Sequence, residues 1–462
     1  MVSHSKNTDT KGKRNMNNPV KVGFVSLGCS KNLVDTEVML AKLVEAGYEI
    51  TPEDVDADII IINTCAFIES AKKEAIDNIL DVAWLKEHEN LKGIVVTGCL
   101  AERYQTQIFD EIPEVDAVIG VGSIDKIVDA VDAVANGEKF SAFDDKNTSA
   151  LGGERIVTTP EYTAYIKVAE GCDNCCTYCA IPLIRGHFRS RPIEDIVNEA
   201  KELEAIGVKE LNIVAQDTTR YGLDLYGEYK LADLVRAICK ETKIPWIRLL
   251  YCYPDKITDD LIAEMRDNDR VVKYIDLPIQ HISDNVLSAM NRHGDSAMIR
   301  ETVKKLRDNV PGICIRTTVI VGFPGETDAD FEELCEYVKE AEFDRLGAFT
   351  YSREEDTPAY DFVDQIDEQT KQDRYDIIMK EQLHISSAKN EKMIGKRVKV
   401  LCEAYDPVAE VYYGRSAADA PDIDTKVYFK NALGKKRIAP GSFVDVKIEE
   451  AVDYDLIGKT IK

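Results

Sequence analysis

Four cysteines crowd into the stretch GCDNCCTYC, residues 171–179. Two parses of this loop are open: Cys172, Cys176 and Cys179 give Cys-x-x-x-Cys-x-x-Cys, whereas Cys172, Cys175 and Cys179 give Cys-x-x-Cys-x-x-x-Cys. Either supplies three thiolates from one loop. Full ligation of an iron–sulfur cluster usually takes four, so three would leave one iron of a cubane open to a small molecule. Tetrahedral zinc would need a fourth ligand, and His187, eight residues beyond Cys179, is not at finger spacing. A second set is dispersed: Cys29 (SLGCSKN), Cys65 (INTCAF) and Cys99 (VTGCLAE) each stand just past the end of an apolar run. If those runs are parallel strands, all three thiols lie along the edge where open α/β sheets bind ligands. Three unrelated packing cysteines would not be expected to share that placement. We read them as ligands of a second cluster, again with one iron unfilled. The remaining cysteines, Cys239, Cys252, Cys314, Cys335 and Cys402, sit inside helix or strand patterns and read as small buried apolar residues.

The elements that must position these thiols are legible as alternation. Residues 20–145 carry the apolar runs KVGFVSL, ADIIIINT, KGIVVTG and DAVIGV, separated by helical periods such as NLVDTEVMLAKLVEAG. Fully apolar runs are what strands buried on both faces require, and the pattern predicts an open, mostly parallel α/β domain. Residues 138–160 lose the periodicity and read as a linker. From 158 to 392 the alternation returns six times, in AYIKVAEG, ELNIVAQD, WIRLLYCY, KYIDLPIQ, CIRTTVIVGF and RLGAFTYS, closed by a long polar helix over 365–392. Six βα units make most of a barrel, whose chemistry collects at the C-terminal strand ends; the four-cysteine loop follows the first strand at that end. Residues 393–462 switch to short β-like runs and predict a small antiparallel barrel. That barrel is nearly neutral, with twelve Lys/Arg against eleven Asp/Glu.

At 462 residues the chain is too long for one core. Its net charge of −25 suits a basic partner and disfavours non-specific nucleic-acid binding, which rests on phosphate neutralisation. No run of eighteen apolar residues is present, so no transmembrane helix is expected. Residues 1–19 are polar, lack the apolar stretch of a signal peptide, and read as a disordered tail of a cytoplasmic protein.

With Tyr178 just before its last cysteine, and placed after a first βα strand, the first parse resembles the signature of radical S-adenosylmethionine enzymes. The resemblance implies that Cys172, Cys176 and Cys179 hold a [4Fe-4S] cluster whose open iron binds S-adenosylmethionine. Cys175, where relatives commonly carry a basic residue, is then a spectator. Reductive cleavage of S-adenosylmethionine in that family yields a radical that abstracts hydrogen from an unactivated carbon, with the protein supplying position and exclusion of water. TTVIVGFPGE (317–326) resembles the family's adenine-side motif, which makes Ile320, Gly322 and Glu326 candidate cofactor contacts together with Tyr178 and Gln216. A plain Gly-Pro turn explains the strip about as well, and a structural role is at least as ready for Gln216 and Asp217.

The order of the three parts, over nearly the whole chain, resembles the methylthiotransferases, whose terminal part is a TRAM domain. The resemblance implies insertion of sulfur into a C–H bond and its methylation, with two S-adenosylmethionine per modification and two [4Fe-4S] clusters. One cluster would make the radical, and the other would hold the sulfur it meets. The strips VSLGCSKNLVDTE, IPLIRGHFRSRPIEDI, AQDTTRYGLDLYG, LLYCYP and YIDLPIQHISDNVLSAMNR are similar to the branch that modifies the β-carbon of an aspartate in the twelfth small-subunit ribosomal protein. That branch implies a monomer fed electrons by a reductant such as flavodoxin or ferredoxin, with no catalytic side chains expected beyond the clusters. Three alternatives compete: the same chemistry on a tRNA adenosine, an electron-transfer protein without S-adenosylmethionine chemistry, and an RNA-binding module led by the terminal barrel. His281 and His293 read as cap or core residues rather than bases. Asp35 and Glu37 read as substrate contacts or, more simply, as favouring the start of a helix capped by Asn32. Arg185, Arg189 and Arg191 either hold a carboxylate or solvate a loop.

Overall fold

The computed structural model describes residues 20–52, 54–434 and 437–462; the tail expected at 1–19 lies outside the described residues. The first sheet is parallel throughout, with strands β1 (Lys21–Ser26), β2 (Glu49–Ile50), β3 (Ile59–Thr64), β4 (Gly93–Gly98), β5 (Ala117–Ile119) and β6 (Phe140–Ala142) in the order β2-β1-β3-β4-β5-β6. The central strands β3 and β4 are buried along their whole length. Alternation explains why: Ile60 and Ile62 pack with Ile79 and Val82 of helix α2 (Glu69–His88), while Ile59 and Ile61 pack with Met39 and Leu43 of helix α1 (Ser30–Glu45). The two edge strands escape a reading by apolar runs because they are short. One of them, β6, lies inside the stretch expected to be linker.

The second sheet is built from β7 (Thr163–Lys167), β10 (Glu210–Val214), β11 (Trp246–Leu249), β12 (Val271–Asp276), β13 (Cys314–Val321) and β14 (Arg345–Thr350), all parallel, in the order β14-β13-β12-β11-β10-β7. A two-stranded antiparallel pair, β8 (Ala169–Glu170) with β9 (Arg189–Ser190), brackets the cysteine loop. One face of the sheet carries Ile166, Ile213, Leu249, Ile275 and Ile315 into a core with the surrounding helices, including the long helix Glu368–Glu391. The alternate residues Tyr165, Arg248, Tyr274 and Arg316 point to the opposite face.

The last seventy residues form a closed five-stranded barrel of β15 (Arg397–Asp406), β16 (Val411–Ser416), β17 (Val427–Lys430), β18 (Phe443–Ala451) and β19 (Leu456–Thr460). It departs from the expected antiparallel pattern in one pair, β17 with β19, which is parallel. The barrel is docked through its β16–β17 loop, which enters that opposite face of the second sheet near the strand N-termini. Arg345 pairs with Asp419 (2.6 Å), Tyr274 Oη donates to Asp424 (2.6 Å), Arg316 pairs with Asp424 (3.4 Å) and Arg248 Nη1 donates to the carbonyl of Ala417 (2.9 Å). Beneath them Glu210, at the first position of β10, accepts from both Arg248 (2.9 Å) and Arg415 (2.5 Å), with all three side chains essentially unexposed. Helix α1 covers the other end of the same face, with Val34 packed beside Val214 and Leu250. No helix among the described residues is long and apolar enough to cross a membrane.

Candidate functional site

Each cysteine of the dispersed set leaves a strand end of the first sheet. Cys29 occupies the N-cap position of α1, Cys65 follows β3, and Cys99 opens helix α3 (Cys99–Tyr104) directly after β4. Two glycines make this convergence possible. Gly28 has φ +88° and a Cβ there would stand 2.8 Å from that of Cys65; Gly98 has φ +90° and a Cβ would stand 2.5 Å from the carbonyl oxygen of Thr64. Arg103 ties the Cys65 loop from below, donating to the Ala66 carbonyl (3.1 Å) and to Glu354 (2.9 Å) beyond β14.

The three thiols differ electrostatically. Burial opposes ionisation of Cys29, but the nearby Lys31 ammonium and Arg185 guanidinium outweigh it, and its pKa falls. Burial and the neighbouring Cys99 push Cys65 up to about 12. Cys99 is also raised by burial, with Arg185 opposing.

In the second set Cys172 and Cys179 are partly buried and Cys176 is buried, whereas Cys175 is exposed and holds a left-handed backbone at φ +50°. The loop is pinned by backbone bonds: Cys172 N–H to Gly186 (3.1 Å), Thr177 N–H to Met290 (3.0 Å) and Ala359 N–H to Thr177 (2.9 Å). Burial pushes Cys172 up to about 12. The N–H of Ile181 donates to Cys179 Sγ (3.4 Å), and Tyr253 Oη lies 3.7 Å from Cys176 Sγ. Arg292 stacks on the Tyr253 ring at 3.8 Å.

Among the described residues no group of three His, Cys, Asp or Glu side chains is close enough to hold a single metal ion. His187 is turned away and pairs with Asp173 (2.9 Å) at the surface. The donor chemistry of each set, three thiols, suits a larger group: a four-iron cubane takes one thiolate on each iron at alternate corners, and three thiolates leave one iron open. The strand-end mouth fits a polar cofactor as well. Buried oxygens of Gln216, Gln280 and Tyr351, just beyond β10, β12 and β14, find no hydrogen-bond partner among the described residues.

The other expected contacts divide. Tyr178 and Ile320 pack into one cluster with Phe323, Met290 and Tyr351 beside the cysteine loop. Gln216 stands at the mouth and donates to Glu170 (2.7 Å). Gly322 has φ +73°, and a Cβ there would meet Lys371 Cγ of the long helix at 2.3 Å. Glu326 is spent on its own turn, accepting from the N–H groups of Gly322 (2.8 Å) and Phe323 (3.2 Å) and from Arg374 (2.9 Å), with its side chain unexposed. It shapes the strip that carries Ile320. Asp217 likewise accepts from Asn174 of the cysteine loop (2.8 Å) and from Thr219 (3.1 Å). His281 is a core residue whose Nδ1 accepts from Ser283 N–H (3.0 Å), and burial pushes its pKa down to about 4.

The residues between the two cysteine sets carry one correction, at Asn32, and Arg185 and Arg191 do hold carboxylates. Asp35 and Glu37 are buried and engaged with the protein: Asp35 pairs with Lys167 and with Arg185 (2.6 Å), and Glu37 with Arg155 (2.7 Å). Asn32 does not cap α1, which starts two residues earlier; it donates to the Leu27 carbonyl (2.7 Å) and accepts from Arg185 Nη2 (2.9 Å). Arg185 is 2% exposed and solvates nothing. Arg191 pairs with Glu199 (2.6 Å), and Arg189 holds the carbonyls of Ser149 (2.6 Å) and Lys146 (2.5 Å). Lys31 Nζ sits 3.2 Å above the ring of Tyr251, joining the Cys29 turn to the end of β11. Glu170, two residues before Cys172, accepts from Lys167 (2.7 Å), Gln216 (2.7 Å) and Arg185 (3.3 Å). Lys167, Glu170, Lys31, Tyr251 and Arg292 were not singled out from the sequence; the adjacency of Glu170 to the cysteine loop was the one available signal.

Comparison with known proteins divides the chain in the same order. Residues 21–120 match the family described as Uncharacterized protein family UPF0004, residues 166–338 the Radical SAM superfamily and residues 394–461 the TRAM domain. The chain is 48% identical over 447 residues to the ribosomal protein uS12 methylthiotransferase RimO of Desulforamulus reducens, covering 95% of this chain and 99% of that one. It is 50% identical to the RimO of Clostridium perfringens, with coverage of 95% and 97%. Among solved structures, the radical S-adenosylmethionine methyltransferase TsrM of Kitasatospora setae superposes with a TM-score of 0.55 at 13% identity, over 74% of this chain and 77% of that one. That likeness speaks for the fold alone.

Proposed function

The chain belongs to the RimO family of radical S-adenosylmethionine methylthiotransferases, and on that premise we propose that it attaches a methylthio group to the β-carbon of an aspartate in ribosomal protein uS12. In this reading two S-adenosylmethionine molecules are consumed per modification. Cys172, Cys176 and Cys179 hold one [4Fe-4S] cluster, and Cys29, Cys65 and Cys99 hold a second. The reductant is a flavodoxin or ferredoxin, and the enzyme works as a monomer in the cytoplasm, where its ribosomal substrate is.

The observation that carries the reading is the placement of two three-thiol sets at strand ends of two sheets, joined through one buried polar interface. When bound, the clusters and S-adenosylmethionine supply the electron, the hydrogen-abstracting radical, the sulfur and the methyl group. The chain's own residues bind and orient. The backbone bonds of the 171–179 loop fix its thiols, and Tyr253 and Arg292 wall Cys176 off from water. Tyr178 and Ile320 present an apolar surface at the mouth, where the unpartnered oxygens of Gln216, Gln280 and Tyr351 offer acceptors to a cofactor's ammonium and hydroxyl groups. Lys31 and Arg185 favour the thiolate of Cys29, and Arg185 opposes the effect of burial on Cys99. The acidic surface suits a basic ribosomal protein.

The test is anaerobic incubation of the reconstituted enzyme with S-adenosylmethionine, a reductant and either uS12 or tRNA. A methylthio mass gain on one aspartate of uS12 is expected. A gain on tRNA nucleosides, with none on the protein, would overturn the assignment.

A further inference from the structure

The helix Ile181–Arg185 is five residues long and touches both sets of cysteines. At its start, Ile181 N–H donates to Cys179 Sγ at 3.4 Å; at its end, Arg185 Nη2 donates to Cys99 Sγ at 3.4 Å. The second contact crosses between sheets, because Arg185 belongs to the second sheet's part of the chain and Cys99 to the first. Arg185 is held on four acceptors at once: Asn32 Oδ1 (2.9 Å), Asp35 Oδ2 (2.6 Å), Glu170 Oε2 (3.3 Å) and the Cys99 sulfur. Lys167 bonds both carboxylates from the other side. The two cations and two anions form a neutral quartet, but only the guanidinium touches sulfur.

We propose that Arg185 is a positioning residue that sets the reduction potential of the second cluster from the neighbouring sheet and, through its own short helix, fixes that cluster's distance from the first. The proposal rests on the reading that Cys29, Cys65 and Cys99 hold a cluster. Its physics is direct. Adding an electron makes a thiolate-ligated cluster more negative, and a cationic N–H donor on a ligand sulfur stabilises the reduced form more than the oxidised one. Hydrogen bonds to the sulfurs are among the factors that set iron–sulfur potentials. The planar fork of Arg lets one side chain satisfy Asp35, Glu170 and Asn32 while keeping a donor on Cys99; a lysine ammonium cannot span the same set.

The experiment uses the full chain carrying Cys172→Ala, Cys176→Ala and Cys179→Ala, reconstituted anaerobically so that one cluster remains, and reads its midpoint potential by redox titration followed by electron paramagnetic resonance. Arg185→Met is expected to shift the midpoint to more negative potential, and Arg185→Lys to shift it in the same direction by less. In the same triple-alanine parent, with Arg185 in place, the Fe–S(Cys) stretching bands of the remaining cluster are expected to move on exchange into D2O. Iron-loaded variants that keep the parent midpoint would overturn the role of Arg185 while leaving the two-cluster reading intact. If Arg185→Met fails to hold a cluster, an unchanged midpoint in Arg185→Lys, or bands indifferent to D2O, overturns it equally. A parent without iron refutes the second cluster, and the proposal with it.

Discussion

Cys175 shares a loop with three buried or half-buried thiols, yet its own side chain is exposed on a left-handed backbone at φ +50°, and Asn291 Nδ2 donates to its carbonyl (2.9 Å). That geometry separates it from its neighbours on steric grounds. Cys175→Ser should leave iron and sulfide content at the wild-type level; loss of a whole cluster would defeat the choice of Cys172, Cys176 and Cys179. Cys175→Gly should relieve a left-handed strain worth about 1 kcal/mol, seen as a small gain in denaturant unfolding. The strand-end placement of Cys29, Cys65 and Cys99 was legible in the sequence because a cysteine just past an apolar run is a local pattern. The groups that set their electrostatics were not. Arg185 is separated by 150 residues from Asp35 and by 86 from Cys99, and nothing in its own neighbourhood names either partner.

Helix α1 was legible at the level of the element. Its apolar period and its place after β1 follow from the sequence, and Met39 and Leu43 are buried as that period requires. What its polar residues do was not legible, because the face away from the sheet is covered by another part of the chain. Asp35 and Glu37 look like first-turn acids in isolation, and burial against Lys167 and Arg155 turns them into docking groups. Glu37 accepts from Arg155 (2.7 Å), from Thr158 N–H (2.7 Å) and, through its carbonyl, from Ile156 N–H (3.1 Å), so the segment joining the two sheets is strapped to α1. Glu37→Ala should cost about 3 kcal/mol, the penalty of leaving a buried cation short of a partner, and should speed proteolytic cleavage within 144–160. Unchanged melting and unchanged cleavage would mean that Glu199, the other partner of Arg155 at 2.9 Å, suffices alone.

Across the whole molecule, the three parts are joined by buried ion pairs as well as by apolar contacts, and the ion pairs respond to pH. Burial opposes ionisation of Glu210, but Arg415 and Arg248 outweigh it and hold its carboxyl below the ordinary range. A group depressed in the folded state contributes fully above its unfolded value near 4.3, and the contribution is lost as pH falls through the lower folded value. Glu210→Gln should therefore lower stability by about 3 kcal/mol at neutral pH, and the gap to wild type should close as the pH falls below about 4. Denaturant unfolding at stepped pH reads both; a gap that does not depend on pH would mean that the carboxylate charge is not what docks the barrel. The β16–β17 loop that this pairing secures covers one face of the second sheet at the strand N-termini, while α1 covers part of the other end. The barrel is therefore anchored at the end of the sheet remote from the cysteine loop that follows β7, and a change at Glu210 loosens the molecule from the end away from the thiols.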